Sequence, residues 1–216
     1  MKKKFLVITA ICALSLFAAC GSDKKSNKDA DLSNLTDYDK PGYTISLPDD
    51  WAKTENKNAS LAFLYKSSKN DYFTENITAL VQDLDTYDYT LDSYKDVSVS
   101  QYQELGYTIE ECEKVTINET ECYSITSYSK NDDKKIFCKQ LFTLRNKKAY
   151  LFTFAAEEKD FKELSDEVDA IFDTITFNDK SEEEDTSGET EISSEELSNS
   201  EVSSEEQLSE TDTFTE

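Results

Sequence analysis

Thr108-Ile-Glu-Glu-Cys-Glu-Lys-Val-Thr-Ile117, with the runs Glu121 to Ser129, Lys135 to Leu144 and Ala149 to Ala155 behind it, decides the fold. Each run is rich in β-branched and aromatic residues and alternates in polarity, the period of a chain whose side chains point to opposite faces. The connectors are short and turn-forming: Asn118-Glu119, Lys130 to Asp133, and Arg145 to Lys148. Parallel strands need a crossover of a dozen residues or more, so runs joined this tightly must pair antiparallel as a meander. A two-residue turn at Asn118-Glu119 sets Val115 opposite Cys122 and Ile125 opposite Cys112.

Outward from the meander the period changes. Thr90 to Leu105 places Leu91, Tyr94, Val97 or Ser98, Tyr102 and Leu105 at three- and four-residue steps, with Thr90 as N-cap, Asp92 near the positive end and Gly106 after the last turn. Glu158 to Asp173 repeats the pattern with Phe161, Leu164, Val168 and Ile171 on one face. Further upstream, Tyr43 to Leu47, Ser60 to Lys66 and Asn76 to Leu84 read as strands, with Pro48-Asp-Asp-Trp51 as a turn. Thr174-Ile-Thr-Phe177 reads as a short last strand. The order is three strands, a helix, four strands, a helix and a short strand. This predicts an α+β fold, a central antiparallel β-sheet flanked by helices.

Two segments carry a family resemblance. Tyr43-Thr-Ile-Ser-Leu-Pro-Asp-Asp-Trp51 is an aromatic-started strand running into Pro-x-x-Trp. Phe154-Ala-Ala leads into a helix that closes in Ile171-Phe-Asp-Thr-Ile-Thr-Phe177. Together they resemble the PsbP/Mog1-like group over about Tyr38 to Asn178. The resemblance implies an α/β/α sandwich and an accessory or binding role more than catalysis. The His residues that make metal contacts in photosynthetic members have no counterpart, because the chain has no His.

The chain opens with Met1-Lys-Lys-Lys4, an apolar run from Phe5 to Ala19, and Cys20. Such a run suits a signal peptide and is short for a membrane span, which needs roughly 20 residues. Leu16-Phe17-Ala18-Ala19-Cys20 resembles the bacterial lipobox. The resemblance implies diacylation of the Cys20 sulfur and cleavage before it, leaving a two-chain membrane anchor. Residues 1–19 are then the signal peptide, 20–37 a polar flexible tether, 38–178 the folded domain and 179–216 a disordered acidic tail.

Net charge is −23. The tail alone carries 15 acids against Lys180, and residues 38–178 carry 27 acids against 16 basic residues. That balance argues against nucleic acid, whose phosphates call for basic patches, and against adsorption to anionic lipid. Membrane contact should come from the diacylglyceryl anchor alone.

Candidate chemistry is sparse. Cys112, Cys122 and Cys138 form no Cys-x-x-Cys pair and have no His to join them, so they read as buried reduced thiols, with a disulfide allowed outside the cytoplasm. Cys122 and Cys138 should fall near each other on adjacent strands without being opposite. Asp83, Asp85, Asp88 and Asp92 hint at a calcium loop but lack its Gly and closing Glu. Tyr72, Phe73, Tyr87 and Tyr89 cluster around neighbouring connections, either as an exposed aromatic surface or as packing under loops. Glu110, Glu111 and Glu113 could pair as in a glycosidase, yet acids are so abundant that chance pairing is expected.

No nucleophile elbow, phosphate loop, zincin helix or dinucleotide fingerprint appears. The expectation is therefore a non-enzymatic domain with no catalytic, cofactor or metal residues and one modified position, Cys20. It would be anchored on the extracytoplasmic face of the bacterial cell membrane and bind a cell-envelope protein or a small ligand. The alternatives are a hydrolase using carboxylates or a Ser/Lys pair, and a transporter's substrate-binding lipoprotein.

Overall fold

The structure is a computed structural model that describes residues 34–68, 72–84, 86–131 and 133–178. The signal segment, Cys20, most of the tether and the acidic tail lie outside the described residues. In chain order the elements are β1 (Leu35–Lys40), β2 (Tyr43–Pro48), β3 (Trp51–Thr54), β4 (Leu61–Tyr65), β5 (Asn76–Asp83), α1 (Leu91–Glu104), β6 (Thr108–Ile117), β7 (Thr120–Asn131), β8 (Lys134–Arg145), β9 (Lys148–Glu157), α2 (Glu158–Phe172) and β10 (Thr176–Phe177).

The meander forms as its alternation and turns dictate. Asn118-Glu119 and Asn146-Lys147 carry positive φ at both residues, from 43° to 68°. Paired left-handed residues give a turn whose twist matches the strands it joins. Val115 pairs with Cys122 and Cys112 with Ile125, the expected register. With β3, β4 and β5 the meander completes a seven-stranded antiparallel sheet in the order β3-β4-β5-β9-β8-β7-β6.

Neighbouring residues of β9 feed opposite faces. Tyr150, Phe152 and Phe154 join the larger core with α2 and β2, whereas Ala149 and Leu151 join Tyr94 of α1, Ile125 and Phe142. The helices therefore lie on opposite faces of the sheet. Complete burial of a large apolar side chain such as Phe152 or Phe154 contributes roughly 1.5–3 kcal/mol.

The sequence reading needs two additions. The stretch taken as tether already pairs at Leu35, and β1, β2 and β10 form a separate three-stranded sheet. Its hairpin turns at Gly42, where φ is +90° and an added Cβ would clash with the Tyr150 hydroxyl. The second addition is β3: Trp51 begins a strand paired with β4, with Trp51 opposite Tyr65, instead of closing a turn.

The helices begin differently. Thr90 caps α1, accepting from the Ser93 N–H at 3.1 Å while the Ser93 hydroxyl accepts from the Thr90 N–H at 2.9 Å. This is a capping box with Ser in place of the usual Glu or Gln. Gly106, at φ +85°, follows the last turn of α1. α2 starts at Glu157 without a side-chain cap, and Glu158 and Asp160 supply negative charge to its first turn.

Candidate functional site

The spacing of acids on α2 builds the site. Asp160, Glu163 and Glu167 stand at i, i+3 and i+7, which places them along one stripe of the helix. Trp51 of β3 donates through Nε1 to Glu167 Oε1 at 2.8 Å. Its ring is 5.1 Å from Tyr65 of β4 and 6.1 Å from Phe154 of β9, and Phe154 stacks on Phe161 at 5.3 Å. These rings lock the edge of the sheet to the helix.

Glu75 lies at the inner end. It immediately precedes β5, and its carbonyl accepts from the Tyr65 N–H at 2.9 Å, which holds it against β4. The residue is 2% exposed. Its two carboxyl oxygens and the Ser68 hydroxyl are buried, and the neighbours of the carboxyl are that hydroxyl and the Asp160 carboxyl. Burial pushes the Glu75 carboxyl above its ordinary range; the nearby Ser68 hydroxyl opposes this, and the Asp160 carboxylate adds to it.

Electrostatics identify the whole constellation. Tyr65 is raised to about 12, first by burial and then by Glu167, Asp50, Glu75 and Glu163. Glu167 is raised by burial and by Asp50, against the hydrogen bond from Trp51. Five carboxylates thus surround a Trp–Tyr wall. They run from exposed Asp50 and Glu163 through half-buried Asp160 and Glu167 to buried Glu75. Of these five, only Glu163 has a cation at ion-pair distance among the described residues, Lys159 at 3.6 Å.

A depression of about 520 Å³ adjoins this cluster at the start of α2. Its charges are already matched: Lys134 with Glu157 at 2.7 Å, Lys162 with Glu158 at 2.8 Å, and Lys135 with Glu158 at 3.9 Å. The depression is a salt-bridged surface, and the charge imbalance lies beside it.

The thiols depart from the expectation of three buried, reduced cysteines. Cys112 is exposed, because it sits on edge strand β6, and it is free. Cys122 is buried and free, with burial pushing its thiol up to about 11. Cys138 is buried and disulfide-bonded. It faces Ser127, five residues along β7 from Cys122, so the two are farther apart than the sequence suggested.

Asp83 and Asp92 do not converge as a calcium loop would require: Asp83 lies 3.8 Å from Lys148, and Asp92 accepts from the Tyr123 hydroxyl at 2.7 Å. Among the described residues no three His, Cys, Asp or Glu side chains are arranged to hold a metal ion. The aromatic cluster also separates. Tyr72 lies beside Lys134, whereas Tyr87 and Tyr89 stack at 5.5 Å next to Tyr94, near the other end of β5. Glu110, Glu111 and Glu113 are exposed on edge strand β6, with a bulge at Glu110. Charge and a bulge protect a free strand edge from pairing.

Sequence reasoning missed Glu75 and its partners. The acidic stripe on α2 was readable at its helical spacing. Nothing in the sequence distinguished Glu75 from 45 other acids.

No protein-family model matches the chain, nor does any curated protein sequence. Solved structures define the class. A cyanobacterial PsbP (CyanoP) from Synechocystis superposes with a TM-score of 0.53 at 14% identity, covering 74% of this chain and 98% of that one. LpqN, described as involved in cell envelope biogenesis of Mycobacterium tuberculosis, superposes at 0.50 and 14% identity, covering 67% and 90%. The fold is PsbP-like. At this identity the likeness concerns architecture alone.

Proposed function

We propose that this protein is a lipid-anchored binding domain of the bacterial cell envelope, held at the extracytoplasmic face of the membrane by acyl chains on Cys20. The observation that carries the binding role is the cluster of Asp50, Glu75, Asp160, Glu163 and Glu167 around Trp51 and Tyr65, in which four of the five acids have no cation at ion-pair distance among the described residues. A surface that gathers acids without matching cations among the described residues is arranged for something it does not itself supply. The Lys2–Cys20 leader supports the address, and the cell-envelope role of the similarly folded LpqN agrees with it. An acidic domain has little attraction for anionic lipid, which leaves attachment to the anchor and recognition to the domain.

Two measurements test this reading. A Cys20→Ser variant should leave the membrane fraction, and persistence there overturns the anchor. Crosslinking in intact cells should recover a reproducible envelope partner that is lost when Asp160 and Glu167 are both changed to the amides. Equal recovery from that variant overturns the assigned surface.

A second reading, a carboxylate-based hydrolase, draws on the raised carboxyl of Glu75 beside Asp160, a pair able to hold one proton between them. Envelope glycan hydrolysis by the wild type, abolished in Glu75→Gln, would favour it.

A further inference from the structure

We propose that the end of the domain where the chain enters rests against the lipid surface, with Leu105 and Tyr72 as its contacts, and that the opposite end faces away from the membrane. The proposal rests on the Cys20 anchor of the reading above and adds the surface which that anchor brings to the bilayer. The chain enters at β1, where Leu35 pairs with Pro48. It leaves at Asn178, whose side-chain oxygen accepts from the Gly42 N–H at 3.1 Å and whose own N–H donates to the Gly42 carbonyl at 3.1 Å. Gly42 is the turn of the β1–β2 hairpin, so the six-residue strands separate entry from exit by about 17 Å.

The same end can be followed across the large sheet. Trp51, three residues after Pro48, pairs with Tyr65, Leu64 with Asn76, Asn76 with Ala155, and Ala155 with Cys138, beyond which β8 starts at Lys134. Phe137 pairs with Tyr128, and Tyr128 with Thr108, the first residue of β6. The exposed large apolar side chains among the described residues both stand here. Tyr72 is 42% exposed beside Lys134, and Leu105 is 57% exposed after the last turn of α1, three residues before β6. Apolar residues scattered singly over a surface are ordinary, but these two gather where the anchor attaches. Tyrosine suits a boundary that is apolar on one side and wet on the other, and a lysine stem follows it with the ammonium left in water.

Length argues the same way. Leu35 is fifteen residues beyond Cys20, and a polar linker of that length spans about 20 Å. β7 alone, with 12 residues, is about 40 Å long. The linker is shorter than the domain, so the entry end is the one it holds near the bilayer. The acidic sequence after Asn178, with 15 acids against Lys180, joins the domain at the far end, separated from the entry end by more than the Debye length of about 8–10 Å. A domain of this charge gains nothing from anionic lipid. The contact is therefore apolar, and it orients a protein already held by its acyl chains. It also sets the Trp51 surface at membrane level.

The test uses the full chain, made in a bacterial host and reconstituted into phosphatidylcholine vesicles that carry a dansyl-lipid acceptor, and measures energy transfer from one tryptophan at a time. Trp51→Phe removes the chain's single tryptophan, and Thr108→Trp or Thr116→Trp then places one near either end of β6, at an exposed position. Transfer from the Thr108→Trp variant should exceed that from the Thr116→Trp variant by about twofold or more, because eight residues of strand separate the positions by about 26 Å. Equal transfer means that the domain tumbles freely, and the reverse order means that the other end meets the lipid; either result overturns the proposal. If one of these variants shows no cooperative melt, Lys130→Trp and Glu121→Trp, exposed near the two ends of β7, decide the same question.

Leu105→Ser combined with Tyr72→Ser should remove most of the difference and leave the protein on the vesicles, because the contact orients and does not attach. A difference that survives both substitutions assigns the orientation to the linker and overturns the contact. A difference present in native membranes but absent from these protein-free vesicles means that a membrane protein holds the domain, and overturns it too. A chain that does not float with the vesicles refutes the anchor, whereas one that floats with equal transfer from the two positions refutes the orientation alone.

Discussion

The two ends of the molecule use the same ingredients with opposite outcomes. At the start of α1, Asp92 accepts from the Tyr123 hydroxyl at 2.7 Å and from Lys114 at 3.3 Å, with the Lys95 and Lys114 ammoniums 5.7 and 5.4 Å from the Tyr123 ring. Its carboxyl is held below the usual range, by the Tyr123 hydrogen bond first and Lys114 next. Along α2, Glu75 and Glu167 are also carboxylates beside aromatic rings, yet both are pushed up because burial outweighs their hydrogen bonds. The α1 end supplies its own cations and is electrostatically closed. Among the described residues the α2 end places no cation at ion-pair distance from its inner acids and is open. An acid next to a tyrosine says little by itself; burial and the presence of a lysine set the sign.

The hardest blow to this contrast is Trp51→Ala. The ring is 2% exposed and links Tyr65, Phe154 and Glu167. Removing a buried aromatic side chain costs about 3–5 kcal/mol, and here it also strips the half-buried Glu167 of its donor. Urea unfolding should show that loss. A loss comparable to a surface substitution would mean the wall contributes nothing. Trp51→Phe separates the two contributions, since it keeps most of the packing and deletes only the N–H.

Glu75→Gln comes next and has the opposite sign. The folded protein raises the Glu75 carboxyl above its unfolded value, so the fold favours the protonated form. Stability from this group is fully present below the unfolded pKa and is lost as pH rises through the folded one. At neutral pH the wild type bears a buried acid whose ionised form the fold disfavours. The amide keeps the shape, can donate to Asp160 and cannot ionise. It should stabilise the protein at neutral pH by on the order of 1–3 kcal/mol, the range for leaving a buried polar group unsatisfied, and the gain should disappear in acid. Unfolding curves at neutral and acid pH check both halves. A variant less stable than wild type at neutral pH would show that Glu75 has a compensating partner, and the open end would then resemble the closed one.

How far the sequence revealed each region follows from the range of the forces involved. The meander was legible because alternation and the Asn118-Glu119 turn are local, and local chemistry set its register to the residue. The cap at Thr90 was legible for the same reason. β1 was not: Leu35-Thr-Asp-Tyr-Asp-Lys40 looks like polar tether, because an edge strand over a small sheet needs few apolar residues. Trp51 looked like the end of a turn because Pro48-Asp-Asp precedes it, and only its pairing with Tyr65 makes it a strand. The site was least legible. Glu75 becomes distinctive only when α2, 85 residues further on, brings Asp160 beside it, and no local pattern encodes that meeting.

Thr90→Ala probes the closed end more gently. The Thr90 hydroxyl accepts from Ser93 N–H and the Ser93 hydroxyl answers the Thr90 N–H, so the substitution breaks half of the box. Loss of such an N-cap costs about 1 kcal/mol. α2 has no side-chain cap at Glu157, and Glu157→Ala has no equivalent bond to lose there. A clear deficit for Thr90→Ala in chemical unfolding, with unchanged contact between α1 and the sheet, would show that capping matters at one end only. Equal effects of the two substitutions would remove that asymmetry.

The smallest effect belongs to Asp92→Asn, and its smallness is the point. Asp92 is exposed to solvent, so its bonds to Tyr123 and Lys114 compete with water and are screened by salt. Because the folded carboxyl is lowered, its stabilisation is present above the unfolded pKa and is lost as pH falls through the folded one, the reverse of Glu75. The variant should therefore unfold close to wild type at neutral pH, with any deficit shrinking as salt is added. Titration of the Asp92 carboxyl by NMR should show the lowered value returning toward normal in Lys114→Met, because that substitution removes a cation and leaves the Tyr123 bond. If the value does not move, the tyrosine hydroxyl alone sets it, and the lysines that distinguish this end from the α2 end are not what closes it.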